Sequence, residues 1–292
     1  MKKRLLVLLF VFCYVNFWAQ KGFFSTPDSL NKKRFWTTNA LIGAGYSGSL
    51  IGLKSVWYKD PWQKFHFYND GSSWMQMDKV GHFYNCYAIN SVISDVYAWT
   101  GLPRKKADLY GLGISFSYLA FLEVFDGFSP EWGFSGYDFL ANSVGVLGYW
   151  SQQYFWQRQK IQAKISYQFS PYAKYRPDVL GSNVLERILK DYNGHTFWLS
   201  ASPGSFGLEK FPKWLCFSVG YGVDQKLVGD EDVYLNYIAR REWVFSLDID
   251  LTQIPVKKPF WKAVFKQMNL IKVPFPAVVF TKYGNRFAPI YF

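Results

Sequence analysis

Residues 78–148 read DKVGHFYNCYAINSVISDVYAWTGLPRKKADLYGLGISFSYLAFLEVFDGFSPEWGFSGYDFLANSVGVLG. The stretch threads a few polar residues through three long apolar segments. Asp78, Lys79 and His82 open the first segment. Glu123 and Asp126 close the second. Ser135, Asp138 and Asn142 open the third. Charged groups are costly in apolar surroundings unless they are paired, hydrated or hydrogen-bonded. Residues three or four apart share a helix face, so Asp78/His82, Glu123/Asp126 and Asp138/Asn142 each form a facing pair. In an up-down-up bundle a helix start, a helix end and a helix start lie together. The spacing therefore predicts that His82, Glu123, Asp126, Asp138 and Asn142 converge with Asp78 at one end of a bundle.

Such a cluster has two chemical uses. A histidine between carboxylates serves general acid–base chemistry near neutral pH. Carboxylates with one histidine also suit a divalent metal, although nothing in the sequence requires one. Each residue also has a structural explanation. Asp78 suits a helix cap, Ser135-x-x-Asp138 a capping box, and Asn142 or Glu123 with His82 a bond between helices. No serine elbow, arginine phosphate clamp or clustered second histidine accompanies the six residues.

Outward from this stretch, four helices are expected over 38–58, 78–100, 107–126 and 136–159. Gly22 to Phe35 reads as an exposed linker. Residues 59–77 read as a loop punctuated by Asp60-Pro61-Trp62 and Asn69-Asp70-Gly71. Ala44, Gly48 and Gly52 recur every four residues and predict a smooth helix–helix contact. Arg104-Lys105-Lys106, at the break after the second helix, suits either membrane phosphates or a solvated turn. After residue 166 alternation replaces helical spacing. Strands are expected over 197–201, 215–222 and 234–251, with a short helix over 184–191, another over 262–270 and tail segments at 277–282 and 289–292. In 243–251 Trp243, Phe245 and Leu247 alternate with Val244, Ser246 and Asp248. The fold class is α+β: an N-terminal membrane-associated helical bundle over 20–165, then a small strand-rich part over 166–292.

Composition sets the compartment. The chain has 292 residues, 21% of them aromatic, and a net charge of +12. Aromatic loading of this kind suits a membrane interface. Lys2-Lys3-Arg4, the apolar run Leu5 to Val15 and Ala19 predict a signal peptide over residues 1–19, cleaved before Gln20. Cys13 follows Phe10-Val11-Phe12, which is not a small-residue lipobox, so no lipid anchor is expected there. Export and the lack of a binding motif speak against nucleic acid as the partner of the basic charge. Membrane lipid or other envelope proteins are the expected partners. Cys86 and Cys216 remain after cleavage and read by default as buried free thiols, with a disulfide left open.

Asp78-Lys79-x-x-His82-Phe83, Glu123-x-x-Asp126-Gly127 and Ser135-x-x-Asp138-x-x-Ala141-Asn142-x-x-Gly145 resemble the YfiM-like predicted periplasmic lipoproteins, a domain of unknown function. They are more distantly similar to the VanZ-like membrane proteins linked to glycopeptide-antibiotic resistance. The resemblance covers about 78–148 and implies an envelope location and a helical hairpin bundle. It carries no established reaction. The resulting expectation is an envelope protein with a structural or interaction role at the periplasmic face of a membrane, the outer one. The alternative is a membrane-surface hydrolase acting on an envelope lipid or lipid-linked wall precursor through the His/carboxylate cluster.

Overall fold

The computed structural model describes residues 22–58 and 60–292. The expected signal peptide, Cys13 and the cleavage point lie outside the described residues. The architecture is α+β, helices first and an antiparallel sheet second.

Four long helices lead: α1 (Lys32–Trp57), α2 (Met77–Trp99), α3 (Arg104–Phe128) and α4 (Gly136–Trp156). The linker expected over Gly22 to Phe35 ends early, because the Asn31 side chain accepts from Arg34 N at 3.0 Å and caps α1. Arg34 then folds the preceding residues back, donating to Ser25 O and Gly22 O at 2.7 Å each. Helix α2 is the centre of the bundle and packs on both α3 and α4. Two glycines set those approaches. A Cβ on Gly111 would stand 2.1 Å from Ser94 Oγ, and one on Gly145 would stand 2.2 Å from Phe83 O. The small-residue face of α1 behaves otherwise. Ala44, Gly48 and Gly52 are exposed, and a Cβ on Gly48 meets nothing within 4 Å. Helix α1 is held instead by larger groups, such as the Tyr97 hydroxyl donating to Asn39 at 2.9 Å and Tyr46 against Tyr118. Among the described residues, α3 is the one helix long and apolar enough to cross a membrane.

The sheet is formed by β1 (Ile161–Tyr167), β2 (His195–Ala201), β3 (Leu215–Asp224), β6 (Arg240–Ile249), β7 (Phe275–Thr281) and β8 (Gly284–Tyr291), in that spatial order and antiparallel throughout. A two-stranded hairpin, β4 (Val233–Tyr234) and β5 (Tyr237–Ile238), precedes β6, so the expected strand over 234–251 is two elements. Short helices α5 (Pro177–Leu180) and α6 (Val184–Lys190) sit between β1 and β2, and α7 (Pro259–Met268) between β6 and β7. Strand β1 straddles residue 165, where the helical part was expected to end. Its outer edge meets the segment before β7: Ile165 N donates to Leu270 O and Lys272 N to Ile165 O. The sheet therefore curls until its first strand touches the connector to its fifth.

Polarity across this sheet is reversed relative to a soluble domain. In β6, Trp243 and Phe245 are 50% and 47% exposed, whereas Val244 and Asp248 are 0%. Leu199, Phe217, Val219, Val278 and Phe280 extend the exposed apolar face. The inner face buries Lys164 against Asp248 at 2.8 Å, and Lys164 Nζ also donates to Ile249 O and Asn269 Oδ1. Apolar-out, polar-in alternation is the pattern of strands that face lipid. The bundle repeats the inversion. Leu140, Val144 and Leu147 of α4 face outward, while Asp138, Asn142 and Gly145 face inward. Bundle and sheet share one core, in which Tyr84, Tyr87 and Tyr149 pack with Ala163, Phe197 and Val223. Cys86 and Cys216 are buried free thiols.

Candidate functional site

The six residues expected to converge do so, at the end of the bundle where α2 and α4 begin and α3 finishes. Helix α2 is launched from an unusual turn. Trp74, Met75 and Gln76 all have positive φ, at 51°, 52° and 65°. Such a run in non-glycine residues is strained and persists only where its surroundings over-determine it. Here the sheet region supplies those surroundings. Trp74 N donates to Gly229 O at 2.7 Å, the Tyr221 hydroxyl donates to Met75 O, and Arg241 donates to Gln76 Oε1 at 2.9 Å. Asp78 therefore lies in the first turn of α2 and is not its cap residue.

Lys79 occupies the middle of the site. Its ammonium pairs with Asp70, with Asp78 Oδ2 at 3.0 Å and with Asp138 Oδ1 at 2.9 Å. His82 lies beside it. Nδ1 is 3.1 Å from Asn142 Oδ1 and 3.4 Å from Glu123 Oε1. Nε2 is 3.6 Å from Asp78 Oδ1 and 4.0 Å from Asp138 Oδ1. Asp126 stands slightly apart and accepts from the Tyr58 hydroxyl at 2.8 Å. Tyr192, in the turn before β2, donates to Asp78 Oδ1 at 2.8 Å. Ser135 caps α4, accepting from Asp138 N at 3.1 Å, while its hydroxyl donates to Asp70. The capping expectation thus holds for Ser135, but the Asp138 carboxylate is committed to Lys79.

Carboxylates outnumber cations here, and burial decides who keeps a proton. Burial, reinforced by Asp138, Asp126 and Asp78, pushes Glu123 up to about 10. Burial also raises Asp138 to about 9, against the pull of Lys79, and Asp126 to about 6. Burial opposes ionisation of Asp70 as well, but hydrogen bonds from Asp138, Lys79 and Ser135 hold it below the ordinary carboxylate range. Asp78 is likewise held low, by the charges of His82 and Lys79 and the Tyr192 hydroxyl working against burial. The neighbouring acids Asp70 and Asp138 are thus driven in opposite directions, Asp70 down and Asp138 up. Three buried atoms of the site stay without a hydrogen bond: Glu123 Oε1, Asn142 Nδ2 and Asp138 Oδ1, the last of which is ion-paired with Lys79.

Among the described residues, a divalent cation has one geometric opening. Ligand atoms of Asp78, His82 and Asp138 all lie within 4.8 Å of one another. The mixed oxygen and nitrogen donors suit such an ion. The Lys79 ammonium already contacts two of the three, so a metal would have to compete with it.

Sequence reasoning missed Lys79 as a member, together with Asp70, Tyr58 and Tyr192. Lys79 was visible beside Asp78. Asp70 was visible only as turn chemistry in Asn69-Asp70-Gly71. Tyr58 and Tyr192 carry no local signal, since each is one tyrosine among the chain's 21. The loop bearing Asp70 is placed by the α3–α4 turn. His66 N donates to Gly127 O at 2.9 Å, and Tyr68 N donates to Phe134 O at 3.0 Å.

No curated protein and no solved structure matches the chain. A family model described as "Predicted periplasmic lipoprotein (DUF2279)" matches residues 66–150, the stretch from His66 through α4's inward face that contributes every charged member of the site.

Proposed function

We propose that this is an exported cell-envelope protein, associated with a membrane at its periplasmic face, in which the charged cluster is a keystone between bundle and sheet. The family description supports the envelope and periplasmic location. The apolar outer faces of both bundle and sheet support membrane association, and an antiparallel sheet of that polarity favours the outer membrane. The motif likeness to YfiM-like and VanZ-like proteins is part of the same reading. One observation carries the structural role. Lys79 joins carboxylates from the 60–72 loop, α2 and α4, and Asp78 continues the chain of contacts to Tyr192 at the sheet. A cation held by three carboxylates on separate segments fixes how those segments meet.

The unsatisfied Glu123 Oε1 and Asn142 Nδ2 favour a second reading, in which His82 and the carboxylates act on an envelope lipid or lipid-linked wall precursor by hydrolysis. In that reading His82 takes a proton from water, and protonated Glu123 or Asp138 donates to the leaving group. His82→Ala separates the two. The keystone reading expects the variant to disappear from the envelope, with phenotype following abundance. A stable, folded His82→Ala protein without function would overturn it in favour of hydrolysis. Fractionation and mass spectrometry of the N-terminus check the location, with a start near Gln20 expected.

A further inference from the structure

We infer that the end of the molecule opposite the carboxylate cluster docks on the anionic headgroups of a lipid bilayer. Chain reversals define that end. Asn31 N donates to Thr100 O at 2.8 Å, which sets the start of α1 beside the end of α2, and α3 begins four residues on. Arg104 and Lys266 share Asp95, which adds α7 to the same end. Arg158 donates to Ser205 O at 3.2 Å, and Asp250 N to Trp214 O at 2.8 Å, so the end of α4 and the β2–β3 turn join the group.

Lysines collect there. Lys32 and Lys33 open α1, and Lys105 and Lys106 open α3. The turn before β3 adds Lys210 and Lys213. The approach to α7 and its first turns add Lys257, Lys258 and Lys262. All are exposed, and among the described residues none is paired with a carboxylate. The exposed acids close by in the chain are Asp28 and Glu209. Arg104 and Lys266, by contrast, are spent on Asp95 and Asp108.

Two cavities at this end have the chemistry of an amphiphile. One, of about 320 Å³, runs along Leu109, Tyr110, Gly113 and Ile114 of α3, with Lys106 in its wall. The other, of about 630 Å³, combines Ile254, Pro255, Val256 and Phe265 with Lys257 and Lys262. The first sets a lysine beside an apolar trough, which fits a phosphate headgroup above an acyl chain; the second mixes apolar groups with Thr252, Gln253 and its lysines, which suits a headgroup more than a chain. Exposed Trp36, Trp261 and Phe23 surround the lysines, where aromatic rings anchor proteins at a lipid interface. The apolar outer face of α3 continues from the first cavity through Phe121 and Val124. A basic, aromatic-rimmed end adjoining an apolar belt complements an anionic headgroup layer adjoining hydrocarbon. This inference rests on the membrane reading above but uses no residue of the carboxylate cluster.

The test is flotation of the full-length chain with vesicles, comparing phosphatidylglycerol-containing bilayers with phosphatidylcholine alone. The variant K105Q/K106Q/K257Q/K262Q removes four charges from this end. The control K54Q/K64Q/K174Q/K282Q removes four exposed lysines from elsewhere. Each lysine near an anionic surface contributes roughly fivefold in affinity. The expected result is preference for the anionic vesicles, weakened by salt, and lost by at least roughly tenfold in the first variant but not in the control. Circular dichroism should be unchanged in both. Equal binding to the two vesicle types, salt-resistant binding, or equal losses in both variants would each overturn the inference. Failure with His82→Ala behaviour unchanged would leave the keystone reading standing.

Discussion

The bundle and the sheet bury polar groups on opposite terms. In the sheet, one lysine meets one aspartate and two further acceptors: Lys164 is bound by Asp248, Ile249 O and Asn269 Oδ1. Lys272 nearby donates to Ser246 Oγ, Leu247 O and Val273 O. Around Lys164 the charge is locally balanced, one cation to one carboxylate. In the bundle, Lys79 and His82 face Asp70, Asp78, Glu123, Asp126 and Asp138, and protons make up the shortfall of cations. A lysine held by its own aspartate needs no bound proton for neutrality, whereas a cluster neutralised by protons responds to pH, to cations and to loss of its shared lysine. That difference singles out the bundle end as the responsive part of the molecule.

The largest expected effect is on that imbalance. Lys79→Met leaves Asp70, Asp78 and Asp138 without their common cation. Breaking a buried pair by removing one partner costs about 3–5 kcal/mol, a large part of a typical folding free energy of about 5–15 kcal/mol. Thermal melting and envelope abundance should both fall. If the cluster's geometry tolerates a bound cation, added divalent metal should partly restore the melting temperature of this variant. The same substitution at Lys164 should be rescuable from within. Lys164→Met with Asp248→Leu removes both charges, and replacing a whole buried pair by apolar groups is often neutral or stabilising. Failure of that double variant to recover the stability lost in Lys164→Met would break the contrast.

Packing gives the next effect. Gly145→Val drives side-chain atoms into Phe83 O, and overpacking of this kind costs roughly 1–3 kcal/mol or more. Denaturant midpoints of this variant measure how tightly α2 and α4 are joined beside the site.

Titration then moves the two regions in opposite directions. Between the ordinary Glu value of 4.5 and about 10, folded Glu123 holds a proton that the unfolded chain has released. Stability therefore falls as pH rises through that window. Glu123 is faced by His82, Asp138 and Asn142, and its substitution by Gln should flatten the decline and stabilise the protein at neutral pH by on the order of 1 kcal/mol. Burial instead depresses Lys272 to about 8, from an ordinary 10.5. There the unfolded chain binds the extra proton, so that contribution rises with pH between about 8 and 10.5. Amide exchange should loosen at the start of α2 as pH rises, while the region around Lys272 firms in the alkaline range. Parallel behaviour of both regions would remove the distinction.

The smallest effect is expected at α1. Gly48→Leu meets open space and should change stability by less than about 0.5 kcal/mol.

How far the sequence alone could be read follows from these residues. Helical spacing and turn residues placed α2, α3 and α4 closely, because apolar runs of that length bounded by Gly, Pro and Ser have few other solutions. The pairings Asp78/His82, Glu123/Asp126 and Asp138/Asn142 were legible because chain direction fixes which helix ends meet. Strand β1 was missed, since Ile161 to Tyr167 is short and its buried members include Gln162 and Lys164. The close contact expected at Gly48 occurs at Gly111 and Gly145, because small-residue spacing says that a helix can approach another and not which helix does.

The sequence by itself determined the α+β order, the three polar pairs and the excess of positive charge, all of which depend on local spacing and composition. Only the tertiary structure decided that Lys79 is the cluster's centre, that Asp70 and Tyr192 reach it from distant segments, and that the sheet turns its apolar face outward. Those outcomes depend on which surfaces meet. Alternation along a strand is identical whichever face is buried, and a lysine between three carboxylates exists only once three separate segments have closed around it.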